Sequence, residues 1–286
     1  MKERYALITG ASSGIGFEIA KQLAQRKFSL VLIARGEEKL KKAAKQLKRD
    51  YGVSVISFIA DLEDPKAPQA IYDYCKNQAY FIELLVNNAG YALSTPFHQT
   101  PMEAEEKFLR VLGISVVALT KLFLNEMLQA KKGKIMMISS VAAFAPPSRI
   151  QSLYGPIKTF VNRFSEGLNL SYNADGITST AVCPGYTITN FHTASGVQVE
   201  MDRVPSFMKK SANRVAKVAV AATLKGKKVS VPTKTFKLIM FLLQVLPHAL
   251  FPFFSKRLAP RRYKDCLLYT SPSPRDRQKY RMPSSA

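Results

Sequence analysis

Tyr154 and Lys158, in the run YGPIK, lie four residues apart. On a helix both side chains share one face a turn apart, and the ammonium can sit beneath the phenol. Such a pair offers an acid and a base. A tyrosine's free pKa of about 10 must fall for it to work near neutrality, and an adjacent cation favours the phenolate. Ser140, fourteen residues before the tyrosine, can hydrogen-bond a reacting oxygen and stabilise the charge that grows there in a transition state. Tyrosine and lysine one turn apart also occur by chance, so the chemistry depends on what accompanies them.

The chain opens on apolar YALI, then TGASSGIG, then helix-like FEIAKQLAQRK. That is the strand, turn and helix setting a dinucleotide fingerprint requires. Gly10 permits a tight turn, Gly14 lets the backbone approach a pyrophosphate, and Gly16 lets helix and strand pack closely. Thr9, Ser12, Ser13 and Ile15 complete the candidate cofactor turn, and the helix N-terminus adds amide donors and a positive field. The second strand ends in LVLIAR, so Ala34 and Arg35 stand where a carboxylate would bond the ribose hydroxyls of NAD. A carboxylate repels a 2′-phosphate and a guanidinium pairs with it, so Arg35 predicts NADP(H). The alternative is a surface arginine opening the next helix.

Six apolar runs (YALITG, FSLVLIAR, VSVISFIADL, FIELLVNNAG, GKIMMISS and ITSTAVCPG) alternate with helix-length stretches. This predicts an α/β fold: a doubly wound parallel sheet covered by helices on both faces, in one domain over residues 1–262. With 286 residues and 47% hydrophobic content, the chain can bury a full core. Cys75, Cys183 and Cys266 are odd in number and lack metal-ligand spacing, and MKERYALITG enters a strand at once. No metal, a reducing cytoplasmic setting and no secretion are the expectations. The net charge is +22, and residues 200–264 carry most of the excess. Nucleic-acid motifs are missing, so a membrane surface or an acyl-phosphate substrate is the expected counterpart.

Read together, these motifs resemble the short-chain dehydrogenase/reductase family across nearly the whole chain to about residue 262. Thr9, Gly10, Gly14, Ile15 and Gly16 match TGxxxGIG; Asp61 before Leu62 matches the adenine-side acid; Asn87, Asn88, Ala89 and Gly90 match NNAG. Ser140, then Tyr154 and Lys158, match the active serine and YxxxK, and Pro184 and Gly185 match the PG motif, with Thr187 and Thr189 following. The resemblance implies a Rossmann-type sheet of about seven strands and hydride transfer between nicotinamide C4 and a carbonyl or alcohol carbon. It also implies that Lys158 holds the nicotinamide ribose. Copies are expected to assemble as a homodimer or homotetramer through long helices.

Two features depart from the family pattern. Leu112 occupies the place of an asparagine thought to hold a water that leads from the lysine to solvent, which predicts slower proton resupply. Pro156 is tolerable only if the helix begins close to Tyr154. A catalytically weak, NADPH-binding sensor or scaffold is the rival these two features motivate; the intact Ser140, Tyr154 and Lys158 argue against it. His98 is expected to be exposed, and Cys183 a buried strand residue.

Substrate choice is expected in the segment after PG, where Phe191, Val197, Val199, Met201, Val204, Phe207 and Met208 suggest an apolar lid for a small hydrophobic ketone, alcohol or acyl chain. Leu238 to Phe254 form an apolar run flanked by basic residues, interrupted by Pro247 and Pro252. Interfacial contact with a membrane through 234–262, or a soluble lid or dimer contact, fits better than a span. A keto-lipid or 3-ketoacyl reductase at a membrane is the narrower version of this reading. Residues 263–286 lose periodicity and turn rich in Ser, Pro and Arg, so they are expected to be a disordered, non-native tail.

Overall fold

The structure is a computed structural model that describes residues 3–93, 95–145, 152–189 and 206–245. The six apolar runs form β1 (Tyr5–Thr9), β2 (Ser29–Ala34), β3 (Val55–Ile59), β4 (Ile82–Asn87), β5 (Gly133–Ile138) and β6 (Ile177–Val182). Two-residue strands follow: β7 (Thr187–Ile188), β8 (Lys210–Ser211) and β9 (Val229–Ser230). A seven-stranded sheet runs β3-β2-β1-β4-β5-β6-β9, every neighbouring pair parallel. β7 and β8 pair separately.

Both faces are covered, which is why the central strands read as nearly continuous apolar runs. On one side lie α1 (Gly14–Ala24), α2 (Glu37–Tyr51) and α7 (Ala212–Leu224), packing Ile19, Leu23, Leu40 and Val220. On the other lie α3 (Ala67–Asn77), α5 (Ser115–Gln129) and α6 (Tyr154–Tyr172), packing Ile71, Leu119, Phe123 and Val161. α4 (Met102–Leu109) runs into α5 through a π turn at Arg110–Ile114, and α8 (Lys234–Val245) closes the described chain. The continuous helical run Met102–Gln129 is long and apolar enough to cross a bilayer, but 56% of its apolar window is buried inside the fold, as in a core helix.

From β1 the chain winds outward to β2 and β3, then returns to place β4 on the other side of β1. A crevice opens at the carboxyl ends of the strands where the order reverses. At the opposite end, the buried Glu83 carboxylate accepts from Arg4 (2.7 Å) and Lys132 (2.8 Å), joining the leads into β1, β4 and β5. Burial pushes the Glu83 pKa up, but these two cations more than reverse that and hold it below the ordinary carboxylate value. Its contribution to stability is therefore present above the ordinary carboxyl pKa and lost as pH falls through the depressed one.

A buried amide fixes α6 on the sheet. Asn169 donates from Nδ2 to the carbonyls of Ser165 (2.9 Å) and Ser179 (2.6 Å), and its Oδ1 accepts from the Ser179 amide (3.0 Å). The Ser165 and Ser179 hydroxyls meet at 2.7 Å. Because this polar cluster is satisfied only in one register, it sets where the start of α6 falls along β5 and β6. Asn169→Ala leaves buried backbone groups of β6 unpaired and should cost about 3 kcal/mol. Thermal unfolding should show a fall in Tm of roughly 5–10 °C; an unchanged Tm would contradict the locking role.

Candidate active site

At the carboxyl edge of the sheet a cavity of about 360 Å³ runs from Arg35, Asp61 and Glu63 at one end to Ser140, Tyr154 and Lys158 at the other. Gly10, Ser12, Ser13, Gly14 and Ile15 form its floor, and Asn88, Ala89, Gly90, Pro184, Gly185, Thr187 and Thr189 form further wall. Leu62 also lines it. Thr9 and Gly16 do not, and their geometry explains why. Thr9 is buried; its hydroxyl accepts from the amides of Asn88 (2.9 Å) and Ala89 (3.0 Å) and donates to the Val86 carbonyl (3.3 Å). Asn88 returns the contact, its Nδ2 donating to the carbonyls of Thr9 (2.8 Å) and Gly10 (3.2 Å). These bonds clasp the ends of β1 and β4 and hold the crevice in shape.

Gly10 has φ +65°, the left-handed region that glycine tolerates. A Cβ on Gly16 would lie 2.4 Å from the Gly10 carbonyl oxygen and 2.5 Å from Asn88 Nδ2, so the start of α1 can press against the clasp only as glycine. Ser13 precedes α1 without a side-chain capping bond. The first amides of an 11-residue helix thus face the cavity with their positive end, which suits a phosphate.

α6 begins at Tyr154 itself, so Pro156 falls in its first turn, where a missing amide hydrogen costs little. Lys158, one turn on, is buried and donates from Nζ to the Ile138 carbonyl at 2.8 Å. Its Nζ lies 5.6 Å from the centroid of the Tyr154 ring. Burial pushes the Lys158 pKa down to about 8, partly opposed by the neighbouring Cys183. The ammonium is therefore charged near neutrality yet easily deprotonated. The Ser139 hydroxyl donates to the Lys158 carbonyl (3.0 Å) and anchors α6 to the end of β5. Ser140 Oγ accepts from the Ala142 amide (3.1 Å), which leaves its own proton free to be donated.

Leu112 sits in the π turn and lines the cavity; a Cβ added to Gly90 would be 3.6 Å from its Cγ. An apolar wall thus stands between Gly90 and α4–α5. On Tyr154's other side a second, far smaller hollow is bounded by Leu93, Phe108 and the buried Glu105, whose pKa is raised by burial. Cys183 is fully buried just past β6, its thiol pushed up to about 12 by burial, and His98 is exposed.

Gly185 has a packing role beside the cavity. A Cβ there would fall 2.1 Å from the ring of Phe236, so this glycine lets α8 dock. Phe236 and Met240 are buried with Ala181, Cys183 and Val231, while Leu238 and Phe241 point outward beside exposed Lys234 and Lys237. Of the expected lid, Met208 packs against this cluster. Phe191, Val197, Val199, Met201, Val204 and the Phe207 side chain lie outside the described residues, as do 246–262 and the tail from 263.

Glu63 and Tyr91 also line the cavity, though the motif reading leaves them out. Each directly follows a motif residue, Glu63 after Asp61-Leu62 and Tyr91 after Gly90, and that adjacency is the only sequence signal they carry.

The short chain dehydrogenase family profile matches residues 4–199. Very-long-chain 3-oxoacyl-CoA reductase of Anas platyrhynchos is 36% identical over 197 residues, covering 67% of this chain and 62% of that protein. 17-beta-hydroxysteroid dehydrogenase type 3 of Mus musculus is 37% identical over 190 residues, covering 65% and 60%. The chain thus spans about three fifths of the length of these relatives. Among solved structures, a short-chain dehydrogenase from Sphingobium yanoikuyae in complex with NADPH superposes with a TM-score of 0.75 at 30% identity, over 92% of this chain and all of that one. A bulky-bulky ketone specific alcohol dehydrogenase from Comamonas testosteroni gives 0.71 at 27% identity, over 86% and 95%. The family profile spans more than half of the chain, and the chain belongs to the short-chain dehydrogenase/reductase family.

Proposed function

We propose that this protein is an NADP(H)-dependent oxidoreductase that reduces the carbonyl of a hydrophobic ketone or acyl substrate to a secondary alcohol. The observation that carries this reading is the cavity itself: acid–base residues stand at one end and a guanidinium at the other, with a phosphate-suited helix start between them. The NADPH complex of the Sphingobium structure supports the cofactor, and the name of the duck relative supports an acyl substrate.

NADPH supplies the hydride when bound. Gly10, Ser12, Ser13, Gly14 and Ile15 would hold its phosphates, Arg35 its 2′-phosphate, and Asp61 and Leu62 its adenine side. Asn88, Ala89, Gly90, Pro184, Gly185, Thr187 and Thr189 would wall the remainder. Thr9 and Gly16, one step behind the surface, would act by shaping the turn. Ser140 donates a hydrogen bond to the substrate oxygen, and Tyr154 delivers a proton to that oxygen as charge develops on it. Lys158 lowers the cost of the phenolate left behind, because a buried cation acts with little solvent screening.

A membrane-associated ketoacyl or keto-lipid reductase is the finer version of this reading, and α8 favours it. Its inner side is buried through Phe236 and Met240; its outer side presents Leu238 and Phe241 with Lys234 and Lys237, a pattern suited to an anionic interface. The stacked Phe160 and Phe164 and the exposed Leu170 on α6 support a homodimer or homotetramer.

NADPH consumption with a panel of ketones and 3-oxoacyl thioesters tests the function. Turnover should rise with acyl chain length; NADPH binding without consumption across the panel would favour the sensor or scaffold instead. Leu112→Asn should raise the steady-state rate several-fold if resupply of the Tyr154 proton limits turnover. An unchanged rate would mean that protons reach Lys158 by another path.

A further inference from the structure

The end of the cavity remote from Tyr154 is not simply cationic. Arg35 Nη1 lies 3.3 Å from Glu63 Oε1 and 3.9 Å from Asp61 Oδ2. The Glu63 backbone amide donates to Asp61 Oδ1 at 3.0 Å, so the two acids are held on one tight turn after β3. Glu63 is the more enclosed partner, with its side chain 24% exposed against 66% for Arg35. Its charge also acts on Tyr91, whose ring stands edge-on to Phe108. Burial first, and the Glu63 charge second, push the Tyr91 pKa up to about 12, so its phenol stays protonated through the working pH range. Arg35, Asp61, Glu63 and Tyr91 all line the cavity. Lys107 on α4 also feels the charge of both acids, but it is engaged with Glu103 at 2.7 Å.

One guanidinium therefore faces two carboxylates where a 2′-phosphate would arrive. The phosphate oxygens and the Glu63 carboxylate seek the same donors on Arg35. We infer that Glu63 sets cofactor selectivity by competing with the 2′-phosphate for Arg35, so that NADP(H) binds only by displacing this carboxylate from the guanidinium. The turn that ties the Glu63 amide to Asp61 keeps Glu63 in the cavity wall, ready to re-pair with Arg35 when the cofactor leaves. NADH carries no 2′-phosphate and leaves the pair intact. Glu63 thus lowers the preference for NADPH below what Arg35 alone would give. The pair is partly exposed, so the effect is a modest factor.

This inference rests on the proposed NADP(H) reading, and calorimetry separates the two. Binding of NADPH, NADH, adenosine 2′,5′-bisphosphate and AMP is measured for the parent, Glu63→Gln, Arg35→Ala and the double variant. Glutamine keeps the size but removes the charge. The ratio of NADH to NADPH dissociation constants should rise about three- to tenfold in Glu63→Gln. The bisphosphate should tighten similarly, AMP should not change, and the gain should vanish in the Arg35→Ala background. An unchanged or reduced ratio in Glu63→Gln overturns the inference, and so does an equal gain without Arg35. Parent protein that binds neither dinucleotide would instead overturn the NADP(H) reading beneath it.

Discussion

A lysine ammonium taken out of water and bonded to a backbone carbonyl is the constraint on which this site rests. Lys158 is buried, donates to the Ile138 carbonyl and stands against the ring of Tyr154. Holding a charge there is costly, and the fold meets the cost by rigidity: α6 is pinned to β5 through Ser139 and to β6 through Asn169 and Ser179. The same desolvation that brings the lysine pKa to about 8 makes its field on the neighbouring phenol strong.

The second requirement is a crevice of fixed width. The reversal of strand order between β1 and β4 opens it, and the Thr9–Asn88 clasp sets its edges. Parallel strands place their carboxyl ends together, so the glycine turn after β1, Arg35 after β2, Asp61 after β3, NNAG after β4, Ser140 after β5 and Pro184 after β6 all reach one rim. Residues far apart in the chain become neighbours for that reason alone. The charge distribution along this rim is uneven: the buried Lys158 at the Tyr154 end, and Arg35 set against two acids at the other.

Much of this is legible in the sequence because its signals are local. The six long strands lie in mostly apolar runs, and the turn after β1 needs glycines whose spacing is fixed by one turn of backbone. Tyr154 and Lys158 are readable as one helical face, with Pro156 marking the first turn. Less legible is whatever depends on the third dimension. β9 is two residues in a basic stretch and pairs with β6 only because that edge is open. Asn169 looks like a polar residue on an amphipathic helix until Ser179 meets it. Thr9 carries a motif signature for cofactor contact, yet its hydroxyl is consumed by Val86, Asn88 and Ala89. The apolar run beginning at Leu238 hides a helix that starts at Lys234 and turns Phe236 inward onto Gly185. Composition reports that such a segment is sticky; only packing reports which side is already used.

The central claim is that the phenol of Tyr154, held beside a desolvated ammonium, transfers the proton that accompanies hydride transfer. Single-turnover oxidation of NADPH by purified Tyr154→Phe, with cofactor binding measured in parallel, tests it most directly. NADPH affinity should be unchanged and the rate lowered by about 10²–10⁴. A variant that oxidises NADPH as fast as its parent would contradict it.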